Sequence, residues 1–77
     1  MAADKLIDAK GSFCPGPLME LIAGMKMIGV GQTLELLSTD EGSAMDVPEW
    51  VNKVGHLVVA NDKDADGTFR VTVRKMK

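Results

Sequence analysis

Cys14 is the single thiol of the chain, and it lies in the run Phe13-Cys14-Pro15-Gly16-Pro17-Leu18. A lone cysteine closes no internal disulfide and builds no metal cage unaided. Any chemistry at Cys14 is therefore that of a nucleophile, or of a carrier whose cargo can be passed on. Pro15 and Pro17 stiffen the backbone on either side of Gly16 and fix the direction in which the thiol points. Apolar residues then fall at Leu18, Leu21, Ile22 and Met25, the i, i+3, i+4, i+7 spacing of one buried helix face. Pro17 suits the first helical position, where its missing N–H costs nothing. The thiol thus precedes a helix N-terminus, a setting of unpaired N–H groups and positive dipole that favours a thiolate.

The plainer reading of a free cysteine is a buried structural thiol. Against it, Cys14 falls outside the apolar repeat and in a turn. With no second cysteine, dithiol exchange within the chain is excluded. The only histidine, His56, opens a later strand and reads as structural or solvated, so no Cys/His hydrolase is expected. Asp62-x-Asp64-x-Asp66-Gly67 matches the first half of a calcium-binding loop. Its twelfth position is Val73 and no helices flank it, so an acidic hairpin turn is the reading and no metal site is expected. Arg70, Arg74, Lys75 and Lys77 gather near the C-terminus, where an acidic partner or RNA would meet them. Alternating arginines on a strand face are more often simply solvated.

The elements that must position Cys14 follow from the pattern. Lys5 to Ala9 reads as a short strand, broken by Gly11 and Ser12. After the first helix, Gly29 is expected to end it in a left-handed conformation and Gly31 to turn the chain. Thr33 to Ser38 alternates, with Leu34 and Leu36 facing the core. Asp40 to Ser43 is a turn into a second helix, whose Val47, Trp50, Val51 and Val54 repeat the helical spacing. Pro48 is expected in its first turn, or at a kink after a preliminary turn from Ser43 to Asp46. Gly55 closes that helix. Leu57 to Ala60 and Phe69 to Arg74 form two further strands, joined by the polar loop Asp62 to Gly67 as an antiparallel hairpin. The order β-α-β-α-β-β gives an α+β two-layer sandwich: a four-stranded mixed sheet with both helices on one face. Thr33, Glu35, Thr72 and Arg74 fall on the other, more exposed face.

Seventy-seven residues make one domain, 1–77. A hydrophobic fraction of 45% argues for a folded chain. The net charge of −2 and an aromatic content of 4% give no general attraction to nucleic acid or to a membrane. No apolar run spans a bilayer, and Met1 to Leu6 lacks the features of a signal peptide. A free thiol without an export signal points to the cytoplasm.

Cys14-Pro15-Gly16-Pro17-Leu18 resembles the Cys-Pro-x-Pro signature of the TusA/SirA-like sulfur-carrier family. The likeness runs the length of the chain: the strand at Leu6 to Ala9, the Gly11-to-Cys14 approach and the Gly31-to-Leu34 strand entry. It continues through the Thr39-Asp40 turn, the Asp46-Val47-Pro48 step, the Gly55-His56 turn and the closing strand from Phe69 to Lys75. Many members place a charged residue between the prolines, where this chain has Gly16. The resemblance implies a fold like that of the C-terminal domain of a translation initiation factor. It also implies a sulfurtransferase acting as a sulfur relay, with no cofactor. Cys14 would accept sulfane sulfur as a persulfide, or hold a thiosulfonate, with Pro15, Gly16, Pro17 and Leu18 supporting the loop and helix entry. The implied donor is a cysteine desulfurase or rhodanese-like protein, and the acceptor a further relay protein. Such relays serve tRNA thiolation, cofactor synthesis or sulfur oxidation. Met19, Asp40 and Asp46 are the candidate partner contacts, and Met27 and Leu37 would extend the docking surface around Cys14. The rival class is a thiol-based redox or regulatory module that transfers no sulfur.

Overall fold

The computed structural model describes residues 3–12 and 16–77. Its elements follow the expected order: β1 (Lys5–Asp8), α1 (Gly16–Met25), β2 (Thr33–Ser38), α2 (Glu41–Lys53), β3 (Leu57–Lys63) and β4 (Phe69–Arg74). The sheet runs β1-β2-β4-β3. β1 pairs parallel to β2, and β4 is antiparallel to both β2 and β3. Alternation along β2 buries Leu34, Leu36 and Ser38 and leaves Thr33, Glu35 and Leu37 on the open face.

The core lies between the sheet and the helices. Leu21 of α1, Val47 and Val51 of α2, Leu34 and Leu36 of β2, and Val71 and Val73 of β4 form its centre. Each such side chain contributes about 1.5–3 kcal/mol on burial. The buried stripe of α1 is Pro17, Leu21, Gly24 and Met25. Leu18 and Ile22, expected on that face, are only half-buried. The stripe turns toward Gly24 because α1 approaches the sheet most closely there: a Cβ at Gly24 would collide with Ile7 Cδ1 and lie 2.7 Å from Leu34 Cδ1.

Four boundaries differ from the sequence pattern. α1 starts at Gly16, so Pro17 is its second residue, still within the turn whose N–H groups lack helical partners. It stops at Met25, and Gly29 does not take the left-handed conformation. Lys75 instead caps this end: Nζ donates to Met25 O, the last helical carbonyl, at 2.8 Å and to Ile28 O, in the bend that follows, at 2.9 Å. An ammonium at the negative end of a helix is favourable by up to about 2 kcal/mol. α2 begins at Glu41 and carries Pro48 in its interior, not its first turn. The start is decided by Asp40, whose carboxylate accepts from Ser43 N at 3.0 Å and Ser43 Oγ at 2.9 Å. Burial of Ser43, Val47 and Val51 on one face offsets the hydrogen bond that Pro48 cannot donate. β3 continues three residues past Ala60, because Asn61, Asp62 and Lys63 each find a partner on β4. Lys63 Nζ lies 5.2 Å from the centroid of the opposite Phe69 ring.

The α2–β3 turn takes the form expected at Gly55. Gly55 has φ +89°, and His56 N donates to Val51 O at 2.9 Å, closing the helix in a Schellman turn. His56 Nδ1 then accepts from Met76 N at 3.1 Å, and the imidazole leans on Trp50 with centroids 6.2 Å apart. Partial burial, reinforced by the charges of Lys75 and Lys77, lowers the His56 pKa below its ordinary 6.5. The folded state therefore binds this proton less readily than the unfolded chain. The His56 contribution to stability is complete above that ordinary value and is lost as pH falls through the lowered folded one. A protonated Nδ1 can no longer accept from Met76. Thermal melts from pH 7.5 to 5 should fall more steeply for the wild type than for His56→Gln. Parallel curves would show that His56 is not linked to folding.

Candidate functional site

The two parallel strands end on the same side of the sheet, and each feeds a helix. Asp8 leads through residues 9–12 toward α1, and Ser38 leads through Thr39 and Asp40 into α2. In open α/β sheets this carboxyl edge is where ligands and chemistry gather. Cys14, the central expectation of the sequence, lies with Phe13 and Pro15 outside the described residues. The described chain reaches Ser12 before this segment and resumes at Gly16 after it.

Ala9 is buried, and its N–H donates to Leu37 O at 2.8 Å, extending the β1–β2 ladder by one bond. Lys10 N turns back onto Asp8 Oδ1 at 3.0 Å, and Gly11 N reaches Thr39 Oγ1 at 3.0 Å. Ser12 N closes the turn on Ala9 O at 3.1 Å. Gly11 has φ +87°, a conformation that a residue with a Cβ adopts at a cost. On the far side, Gly16 opens α1, and a Cβ placed there would lie 3.4 Å from Ser12 Cβ. The residues bracketing the Cys14 segment are therefore close together in space. Among the described residues that contact is an ordinary one.

Across from them, three successive side chains organise the start of α2. Ser38 Oγ accepts from Asp40 N at 3.1 Å, Thr39 Oγ1 accepts from Gly11, and Asp40 caps the helix. Asp40 is half-buried in this role, whereas Asp46 is exposed on α2. Met19, 60% exposed, projects from the first half of α1. Met27 is exposed beyond the opposite end of that helix, and Leu37 belongs to the open sheet face. Helix length and strand alternation thus part Met27 and Leu37 from Met19.

The other charged motifs are spent locally. Asp64 Oδ2 accepts from Arg70 Nη2 at 2.8 Å, and Arg70 Nη1 reaches Glu35 Oε1 at 3.2 Å. Hydrogen bonding to Asp64, then the charges of Asp64 and Glu35, raise the Arg70 pKa. Asp66 Oδ1 accepts from Thr68 N at 3.0 Å within the hairpin turn, which lowers the Asp66 pKa. With Lys75 capping α1, the C-terminal basic residues form no uniform patch. Among the described residues no group of three or more histidine, cysteine or acidic side chains is arranged to hold a metal. No helix of the described residues is long and apolar enough to cross a membrane.

A depression of about 320 Å³ lies on the open sheet face, lined by residues including Asp4, Thr33, Glu35, Thr72 and Arg74. It sits at the Thr33 end of β2. A six-residue strand separates that end from Ser38 by about 17 Å, so the depression is not part of the carboxyl edge.

This arrangement is the fold of SirA-like proteins. The crystal structure of a SirA-like protein from Desulfitobacterium hafniense superposes with a TM-score of 0.84, over 95% of this chain and 99% of that one, at 20% identity. The family profile described as sulfurtransferase TusA matches residues 5–75. A protein from Archaeoglobus fulgidus is 51% identical over 72 residues, 94% of this chain and 97% of that protein. The sulfur carrier protein TusA of Pseudomonas putida is 35% identical over 72 residues, 94% of this chain and 89% of that protein. The chain belongs to the TusA sulfurtransferase family.

Proposed function

We propose that this member of a sulfur-carrier family accepts sulfane sulfur on Cys14 as a persulfide and relays it to a partner protein. The observation that carries this reading is that Cys14 is the only thiol in the chain and lies within residues 5–75, the stretch that matches the sulfurtransferase family. The step is a balanced exchange. The Cys14 thiolate attacks the outer sulfur of a donor persulfide, a new S–S bond forms, and the donor's S–S bond breaks to release the donor thiolate. The hydrogen on the outer sulfur travels with it, and no net oxidation occurs. A second thiol in the partner repeats the exchange on the loaded Cys14. Because a second protein supplies half of each transfer, the carrier needs no deep pocket beside the thiol.

In this reading Pro15 and Pro17 set the loop, Gly16 leaves the approach uncluttered and Leu18 supports the helix entry. Met19 and Asp46, exposed on the two helices, contact partners; Asp40 acts through the start of α2. The donor is a cysteine desulfurase or a rhodanese-like protein, the acceptor is a further relay protein, and tRNA thiolation in the cytoplasm is one destination for the sulfur. Intact mass spectrometry tests the reading after incubation with desulfurase and cysteine or, separately, with rhodanese and thiosulfate. The expected product gains one sulfur atom, removable by reductant. If both donors and inorganic polysulfide leave the thiol unmodified while oxidants link two chains through Cys14, the carrier role fails and a redox module takes its place.

A further inference from the structure

We propose that Thr39 is a positioning residue for Cys14, holding the segment that leads to the thiol against the start of α2. The inference rests on the reading that Cys14 carries the sulfur. Four consecutive amides, from Ala9 to Ser12, each have a partner on the way to Cys14. Those of Lys10 and Ser12 bond within the same turn, and that of Ala9 completes the strand ladder. Only the Gly11 N–H is held by a side chain from another element, Thr39 Oγ1. Gly11 is also the residue of this segment with a left-handed φ, so its amide direction sets how the chain leaves the turn three residues before Cys14.

The other end of the clamp is equally fixed. Thr39 stands between Ser38, which is 3% exposed and accepts from the Asp40 amide, and Asp40, which caps α2. A shift at the start of α2 is therefore felt at Gly11 through one hydroxyl. Thr39 itself is exposed. An exposed neutral hydrogen bond adds little to stability, because water replaces it when it is lost. Its value is orientation, and a small misplacement of a nucleophile is costly in rate.

Thr39→Val keeps the shape and removes the acceptor, and Thr39→Ser restores the oxygen. With the donor that loads the wild type, Thr39→Val should transfer sulfur about fivefold more slowly in kcat. Its KM and melting temperature should stay near wild type, and Thr39→Ser should recover most of the rate. The rate of Cys14 alkylation by iodoacetamide at fixed pH should change in Thr39→Val and return toward wild type in Thr39→Ser. Wild-type kcat and alkylation rate in Thr39→Val would overturn the proposal. So would equal loss in Thr39→Ser, or a change confined to KM, which would make Thr39 a partner contact. Alkylation needs no donor, so it decides the role of Thr39 even if no donor loads the chain, an outcome that would instead sink the carrier reading.

Discussion

Cys14→Ser is expected to abolish sulfur loading completely while leaving the melting temperature within a few degrees of wild type. The chain's other sulfur atoms belong to its six methionines, whose thioethers have no exchangeable S–H and form no persulfide. No second site can therefore take over. The substitution exchanges one atom at a position outside the apolar repeat of α1. The buried cluster that holds the sheet to the helices is assembled from Leu21, Leu34, Leu36, Val47, Val51, Val71 and Val73. A change away from such a core is usually worth no more than about 0.5 kcal/mol. Mass spectrometry and a thermal melt on the same sample check both halves. A Cys14→Ser chain that still gained a reducible sulfur would overturn the assignment of the carrier atom. One that failed to load because it had unfolded would make Cys14 structural.

Much of the architecture was legible because it depends on local period. The alternation of Leu34 and Leu36 with Thr33 and Glu35 defines β2 without help from the rest of the chain. The element order and the β3–β4 hairpin answer to the same logic, whereas the strand order β1-β2-β4-β3, with β4 between β2 and β3, is seen only in the fold. What local pattern does not carry is whatever depends on distant partners. The end of α1 is set by Lys75, fifty positions beyond Met25, whose side chain satisfies carbonyls that Gly29 was expected to manage. The end of β3 is set by β4, since Asn61 and Asp62 have poor strand propensity and pair only because Val71 and Arg70 face them. Pro48 misleads for a related reason. A proline suggests a helix start, but the cap at Asp40 and the buried Val47–Val51 face outweigh it. At the site, the thiol and its prolines announce themselves by residue type, whereas Thr39 does not. Its significance arises from a hydrogen bond spanning 28 positions, to a backbone amide that any residue other than proline would provide.

Gly24→Val should destabilise the protein by about 2–3 kcal/mol, through overpacking at the closest approach of α1 to the sheet. Glycine inside a helix is ordinarily a weakness, worth about 1 kcal/mol against alanine. Here it lets the helix backbone settle onto Ile7 and Leu34, the latter with no exposed surface. Adding a Cβ forces two methyl groups aside in a closed core, and the two γ-methyls of valine leave no room for that adjustment. A chain of this length has roughly 4–12 kcal/mol of stability in all. The loss is therefore a large fraction of it, visible as a fall in melting temperature of about 10–20 °C. Gly24→Ala separates the two effects, because its gain in helix propensity offsets part of the crowding and its loss should be smaller than that of valine. The consequence reaches the site. α1 begins two residues after Cys14, and a helix levered away from β1 and β2 would carry its first turn away from Ser12, which Gly16 approaches. Gly24→Val should then lose sulfur transfer at temperatures where it remains folded, while keeping a chemically reactive thiol. A variant that melts with the wild type and transfers normally would show that α1 has slack against the sheet, and that its seating does not set the position of the carrier thiol.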